Sequence, residues 1–163
     1  MAQYFLTENG YKKLGEEIEK LDRYLKNDIA KEIGAAAAHG DLKENGEYHA
    51  AKEKQALTAA KLRILQERFS GANVVRKDEL LPVESVTFGK RIRIRDTKTG
   101  NERVCTILGE GETDPENGVI AYNSPLASGL IGHSKGETVD VKLPVGMKTY
   151  EILEVEFAEG YQD

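Results

Sequence analysis

The sequence predicts an α+β protein in two parts, a helical hairpin followed by a small domain built on a mostly antiparallel sheet. Apolar residues recur every three or four positions from Thr7 to about Asn73, which is typical of helices that pack along one face. After about Lys77 the spacing changes to two, which is typical of strands. The chain has no proline before Pro82, so nothing interrupts two long helices in the first part.

The first predicted helix follows Thr7, a suitable N-cap residue, and carries an apolar stripe with the alternating spacing of a coiled coil. Beyond Leu25 the stripe continues less regularly. Its members are Tyr11, Leu14, Ile18, Leu21, Leu25, Ile29, Ile33 and Ala36.

The second predicted helix carries a stripe of the same spacing, and the two stripes pair as an antiparallel hairpin. Facing positions have residue numbers with a nearly constant sum, which is 83 for pairs such as Leu14 with Phe69 and 84 from Ile29 with Gln55 onward. Each arm of about 30 residues is expected to extend ~45 Å, at a rise of about 1.5 Å per residue. The second stripe consists of Tyr48, Ala51, Gln55, Thr58, Leu62, Leu65, Phe69 and Ala72.

The hairpin is predicted to turn at Asp41 and Leu42, within the segment GDLKENGEYHAA at 40–51. Gly40 suits the end of the first helix. Asp41 is a candidate cap for the second helix, with Glu44 completing a capping-box-like arrangement near its positive end. Capping explains these residue types but not the long arms, which bury little surface per residue. The length of the arms therefore favours a protein that inserts the tip of its hairpin into a deep site.

Asp41 and Glu44 alone form an incomplete metal site. Mg²⁺ prefers six oxygen ligands and commonly takes one or two protein carboxylates, with waters and phosphates supplying the rest. Beside another enzyme's phosphodiester and its first metal, the pair would complete a two-metal site with the ions ~4 Å apart and orient an attacking water. His39 and His49 flank the tip without cysteine partners, a weak zinc pattern. We expect a packing or hydrogen-bonding role for His39 and a helix-surface role for His49.

The second part contains six predicted strands separated by turn signals. The boundary is predicted in the linker 76–83, giving domains 1–77 and 78–163. A short helix is expected over Pro125–Leu130. The strands span 86–88, 91–95, 102–108, 119–122, 138–143 and 149–157.

Composition limits the class of function. The net charge of -5 argues against a protein that grips nucleic acid with its whole surface. The single cysteine, Cys105, cannot form an internal disulfide and is expected to be a small buried hydrophobic residue. The N terminus shows no signal-peptide pattern, and no apolar run is long enough to span a membrane. A cytoplasmic protein is expected.

The tip segment resembles that of the bacterial transcript cleavage factors, the Gre family. At Leu42, Lys43 and 47–51 it is more similar to the GreA branch than to the GreB branch. The resemblance covers essentially the whole chain. Its other segments are 5–7 (FLT) with Gly10 and Leu14, 86–89 (VTFG), 123–127 (NSPLA) and 129–132 (GLIG).

This resemblance implies a non-enzymatic elongation factor that is a monomer when free and acts on bacterial RNA polymerase. It implies an FKBP-like C-terminal domain that docks at the rim of the polymerase's secondary channel, while the coiled coil passes down the channel. Asp41 and Glu44 then hold the second Mg²⁺ and a water, and the polymerase cleaves the 3′ end of backtracked nascent RNA. By the same resemblance, Lys43, Asn45 and Tyr48 help to place the tip or the RNA end.

Two features depart from the family's pattern. Alanines fill 35–38, where the family has an arginine of a basic patch that contacts the RNA. Lys52 is then the basic residue that is the candidate for contacting the RNA. Weak RNA binding and a preference for short backtracks are expected. Gly46 replaces an expected alanine in the first turn of the second helix, which costs about 1 kcal/mol of helix propensity and loosens the tip.

Three alternatives come from other functional classes. A channel-binding inhibitor without cleavage activity is disfavoured by the intact Asp41 and Glu44 pair. A prolyl isomerase with the hairpin as a dimerisation arm is disfavoured because 84–147 contains only Phe88 and Tyr122 as aromatics. A coiled-coil adaptor predicts that Asp41 is dispensable.

The RIRIR run puts three arginines on one strand face, where a solvated surface is favoured over a contact with polymerase or nucleic acid. These are Arg91, Arg93 and Arg95.

Overall fold

The computed structural model describes residues 4–162, which form two compact units. One unit is Tyr11–Gly71, the helical hairpin. The other joins the N-terminal segment, as far as Gly10, to the chain from Ala72 onward and contains the main sheet. This grouping differs from the ranges 1–77 and 78–163 because the N-terminal segment belongs with the sheet rather than with the helices.

The first arm of the hairpin is one continuous helical path of three segments, α1 (Glu8–Arg23), a π-helical segment (Tyr24–Ile29) and α2 (Ala30–Ala37). Thr7 caps it as predicted, since its Oγ1 accepts a hydrogen bond from the Gly10 amide at 2.9 Å. The π-helical segment lies where the sum of facing residue numbers changes from 83 to 84. The wider π turn accommodates the extra residue, and Ile29 at its end is fully buried.

The second arm is a single helix, α3 (Gly46–Ser70), which runs antiparallel to the first, as predicted. The Tyr11 and Phe69 rings stack with centroids 4.4 Å apart at one end of the hairpin. Farther along, Lys54 Nζ lies 3.1 Å from a Glu32 carboxylate oxygen. The Cα atoms of α3 come within 8 Å of those of α2 and of the π-helical segment. Its buried side chains are Ala51, Leu62 and Leu65.

The main sheet and the helix packed on it are formed by β3 (Lys90–Asp96), β4 (Glu102–Leu108), β5 (Val119–Ala121), α4 (Pro125–Leu130), β6 (Thr138–Leu143) and β7 (Gly146–Phe157). The strands lie in the order β5-β4-β3-β7-β6, and all neighbours are antiparallel except β5, which runs parallel to β4. One face is covered by α4 and forms the core, which includes the fully buried Cys105 as predicted. Burial raises the pKa of the Cys105 thiol.

The predicted strand at 86–88 is wrong, because that stretch forms no strand. Val86 is nevertheless fully buried, and its amide donates to the His133 carbonyl at 2.8 Å. Its apolar character therefore reflects burial under the sheet rather than pairing within it. The described residues also form short 3₁₀ turns, at Lys77–Leu80, Glu110–Glu112, Pro115–Asn117 and, after the last strand, Glu159–Tyr161.

A second, two-stranded parallel sheet pairs β1 (Tyr4–Leu6) with β2 (Ala72–Val74). It is fixed within the sheet-containing unit by a buried hydrogen bond of 2.7 Å from the Tyr161 hydroxyl to the Val75 carbonyl. Phe5 adds a ring contact with Phe88, at a centroid distance of 6.4 Å. These contacts explain why the N-terminal strand belongs to this unit.

Candidate functional site

The hairpin turn lies between Ala37, the last residue of α2, and Gly46, the first of α3. Gly40 and Asp41 are consecutive residues with positive φ, +77° and +36°. Glycine adopts this left-handed region freely, whereas an aspartate there is uncommon and is held by its surroundings. The turn is closed by a hydrogen bond of 3.3 Å from the Glu44 amide to the Asp41 carbonyl.

Asn45, rather than Asp41, caps α3, so the predicted capping role of Asp41 and Glu44 is wrong. Asn45 Oδ1 accepts a hydrogen bond of 3.0 Å from the Tyr48 amide, and its backbone is extended, as expected of an N-cap. Asp41 lies four positions before the cap and cannot serve the same helix amides. The prediction failed because aspartate and asparagine are both good caps, and the spacing alone favoured Asp41.

The Asn45 side chain also connects the two arms. Its Nδ2 donates to the Ala36 carbonyl at 2.6 Å and lies 3.4 Å from the Gly40 carbonyl. Ala36 lies in the last turn of α2, where its carbonyl also accepts a hydrogen bond from the His39 amide at 3.2 Å, so Asn45 adds a second donor to it. One side chain therefore ends one helix and begins the other, a role that its residue type alone did not indicate.

Asp41 and Glu44 are both exposed, and within 4–162 neither carboxylate accepts a hydrogen bond or joins an ion pair. No cluster of three or more metal-binding side chains occurs in that part of the chain. The pair therefore supplies carboxylate oxygens that no internal contact occupies. Such a donor set fits an Mg²⁺ ion whose remaining ligands come from elsewhere.

The other predicted tip residues surround this turn. Lys43 is exposed and Tyr48 is half-buried, with its ring edge against the His49 ring at a centroid distance of 5.7 Å. His49 Nε2 lies 2.8 Å from the Lys43 carbonyl oxygen. His49 therefore contacts the turn itself, which the expected helix-surface role does not include. His39 lies 3.7 Å from the Glu47 carboxylate, which agrees with a polar role.

Lys52 is exposed on α3, while Lys54 is engaged inside the hairpin. Lys54 Nζ lies 5.3 Å from the Tyr24 ring centroid and bridges to Glu32. A hydrogen bond with Tyr24 and then the Glu32 carboxylate raise the pKa of Lys54. Lys54 is thus a brace between the arms, which leaves Lys52 as the basic residue near the tip on this helix.

The outer face of the sheet is a ladder of cross-strand ion pairs between β3 and β7. Arg93 bonds to Glu154 at 2.8 Å, and the arginines on either side of it also pair with glutamates, across a shift of register between Arg93 and Ile94. Each guanidinium is matched by a carboxylate, which supports a solvated surface over a basic patch for nucleic acid. The other two pairs are Arg91 with Glu156 and Arg95 with Glu151.

The aromatic residues Phe88 and Tyr122 both contact the Phe5 ring, so they belong to a packed cluster within the sheet-containing unit. Phe5 meets Tyr122 edge-on at a centroid distance of 5.2 Å. This packing gives no support to an isomerase pocket lined by these rings. In the described part of the chain, no helix is both long enough and apolar enough to cross a bilayer.

Two family models match the chain. The model described as "Transcription elongation factor, N-terminal" matches residues 4–74, and the model described as "Transcription elongation factor, GreA/GreB, C-term" matches residues 81–157. Among curated relatives, transcription elongation factor GreA of Helicobacter pylori is 41% identical over 154 residues, covering 94% of this chain and 93% of the relative. The GreA of Helicobacter hepaticus is 41% identical over 155 residues, covering 95% and 94%.

Among solved structures, GreA factor homolog 1 of Thermus thermophilus is 20% identical, with a TM-score of 0.44, and covers 95% of this chain and 99% of that one. The sequence matches, by contrast, extend over both units at substantial identity, and the hairpin and sheet are those that the sequence predicts. The chain belongs to the GreA/GreB family of transcription elongation factors.

Proposed function

We propose that the protein binds in the secondary channel of bacterial RNA polymerase and stimulates the polymerase's own cleavage of backtracked transcripts. Its membership of the elongation factor family supports this class of function. The observation that carries the finer proposal is the tip, where Asp41 and Glu44 are exposed and unoccupied while Asn45 performs the capping. Carboxylates that the fold does not use are available to another molecule.

In this proposal the factor is not itself an enzyme, because its two carboxylates complete a site that the polymerase largely supplies. Asp41 and Glu44 would hold an Mg²⁺ ion that activates and orients a water for attack on the RNA phosphodiester. Neither carboxylate must first break an internal hydrogen bond to do so. The α3 helix, with 25 residues, extends about 38 Å, long enough to carry the tip away from a docking domain.

The sheet-containing unit would dock at the rim of the channel, and Lys52 would contact the RNA. Because 35–38 are alanines and Lys54 is engaged within the hairpin, this contact is weak, which favours short backtracks. Lys43, Asn45 and Tyr48 would support the tip. We further propose that the free factor is a monomer and acts in the cytoplasm, where its polymerase works.

The test is transcript cleavage in a halted, backtracked bacterial elongation complex with Mg²⁺. Asp41→Asn and Glu44→Gln should each reduce cleavage to the polymerase's unstimulated rate, because an amide is a poor Mg²⁺ ligand. Glu47→Gln is the matched control, since Glu47 is also an exposed carboxylate near the tip but lies in the first turn of α3. It should retain full activity.

Slowed elongation without cleavage by the unaltered protein would indicate a channel inhibitor instead. Unchanged cleavage by Asp41→Asn would contradict the role of the carboxylates.

A further inference from the structure

The His49 ring reaches back from the first turns of α3 to the turn that carries the carboxylates. Its Nε2 lies 2.8 Å from the carbonyl oxygen of Lys43, the residue between Leu42 and Glu44. A carbonyl only accepts hydrogen bonds, so this contact requires the imidazole hydrogen on Nε2. The Tyr48 ring lies beside the imidazole in an edge-type contact, with the ring centroids 5.7 Å apart.

This contact complements the one made by Asn45. The Asn45 amide holds the first half of the turn through the carbonyls of Ala36 and Gly40. Within residues 4–162, the second half is held by the long bond from the Glu44 amide to the Asp41 carbonyl and by the His49 contact with Lys43. The peptide joining Lys43 to Glu44 is therefore held at both ends, and the shorter of its two contacts is the one from the imidazole to the Lys43 carbonyl.

The orientation of that peptide matters because it directs the Glu44 side chain. Rotation of the Lys43 carbonyl away from His49 turns the following amide and shifts the Cα–Cβ direction of Glu44 relative to Asp41. Two carboxylates that share one ion tolerate such shifts poorly, since the reacting atoms must be held to within a fraction of an ångström.

We infer that His49 is a positioning residue, whose Nε2–H holds the Lys43 carbonyl and thereby places Glu44 beside Asp41. This inference rests on the proposed function for its effect on cleavage, but the hydrogen bond itself is a property of the free protein. His49 touches neither the ion nor the RNA in this account, so it acts only through the turn.

The experiment compares two substitutions in the full-length protein. His49→Phe keeps an aromatic ring beside Tyr48 but removes the donor, whereas His49→Gln restores an amide N–H near the position of Nε2. His133→Phe is the control histidine, because the His133 ring contacts Glu137 in the sheet-containing unit. We expect His49→Phe to lower the rate of stimulated cleavage about tenfold to hundredfold, as for small misplacements of reacting groups.

Affinity for the halted polymerase should be the same for all variants, and His49→Gln should regain most of the rate. Cleavage by His49→Phe at the unaltered rate would overturn the inference, as would a rate loss explained by weaker binding. If Asp41→Asn is inactive while His49→Phe is fully active, the positioning role fails and the proposed function stands. If Asp41→Asn is fully active, the proposed function fails.

A measurement without polymerase tests the contact directly. In protein labelled with ¹⁵N in the imidazole rings, the His49 resonances, identified by their loss in His49→Phe, should show the hydrogen on Nε2. A His49 ring with its hydrogen on Nδ1 would overturn the inference whatever the cleavage assay shows.

Discussion

One side chain, Asn45, organises the hairpin turn, because it caps α3 and also donates to the Ala36 carbonyl of the first arm. Asparagine and aspartate are both good helix caps, so residue type alone does not distinguish Asn45 from Asp41. The choice depends on where the first arm ends, because Asn45 must also reach the Ala36 carbonyl. The acidic pair was predictable from its residue types and its place at the turn, whereas the hydrogen bonds that hold it were not.

The sequence also did not predict the burial of Lys90, which directly precedes the RIRIR run. Its ammonium group donates to three backbone carbonyls of the segment that precedes β3, at 2.8 to 3.0 Å, and none of its surface is exposed. Burial lowers the pKa of Lys90 from its ordinary 10.5. No period or motif distinguishes such a lysine from an exposed one at a strand end. Its acceptors are Pro82, Val83 and Ser85.

Substitution of Lys90 should be costly. Lys90→Met keeps the length of the side chain but leaves three carbonyls without their donor, so the free energy of unfolding should fall by about 3 kcal/mol. Urea denaturation followed by circular dichroism measures this change. Lys142→Met is the control, because Lys142 is exposed on β6, and its effect should stay within about 0.5 kcal/mol. Equal effects would show that the linker does not depend on Lys90.

Asp96 should make stability depend on pH in the acidic range. The Lys98 amide, which bonds its carboxylate at 2.9 Å, is the main cause of a pKa below the ordinary 3.8, with the Thr99 amide adding to it. The folded state therefore binds this proton less readily than the unfolded state. The stabilisation is fully present above the ordinary pKa and is lost as the pH falls through the folded-state pKa.

The substitution Asp96→Asn removes that titrating group. The variant should unfold more readily than the unaltered protein at neutral pH, and the difference should shrink as the pH falls below the ordinary carboxyl range. Thermal unfolding at a series of pH values measures it. A difference that is constant across the series would contradict a role for the Asp96 charge.

At the scale of elements, the periodicity predicted the hairpin and most strands, but not the irregular segments. The change in spacing after Leu25 marks one extra residue in the first arm. A helix can absorb such a residue through a π turn or by local underwinding, and the choice depends on packing against α3. The two-stranded sheet of Tyr4–Leu6 and Ala72–Val74 is too short for periodicity to reveal.

Substitution of glycines within the helical arms measures how much intrinsic helix propensity contributes to the free energy of unfolding. Gly34 lies inside α2, is exposed, and has open space where a side chain would begin. Gly34→Ala should therefore raise the free energy of unfolding by about 0.5 to 1 kcal/mol. Gly46→Ala, at the start of α3 and equally unhindered, should stabilise less, because it lies at the helix end.

Gly89→Ala is the opposite case and serves as the control. Gly89 has a φ of +84°, and an added Cβ would lie 2.6 Å from Leu80 Cδ1. This variant should be destabilised in the same denaturation experiment. A stabilised Gly89→Ala, or a destabilised Gly34→Ala, would show that local space and φ do not govern these positions.

At the scale of the whole molecule, two compact units divide the work proposed for the factor. The hairpin carries exposed carboxylates on a turn that Asn45 and His49 contact. The other unit has its own core and an outer sheet face on which arginines are paired with glutamates. If docking belongs to the sheet-containing unit and chemistry to the tip, loss of the carboxylates should leave docking intact. The two activities should therefore separate cleanly.

Competition tests this separation most directly. The cleavage reaction contains backtracked elongation complexes and the unaltered protein, and the double variant Asp41→Asn/Glu44→Gln is titrated into it. The total concentration of the two proteins is kept high enough to saturate the complexes. Since both proteins should occupy the channel equally well, cleavage should fall to half when their concentrations are equal. Cleavage that persists in a large excess of the variant would show that the carboxylates are needed for docking, and would contradict the account.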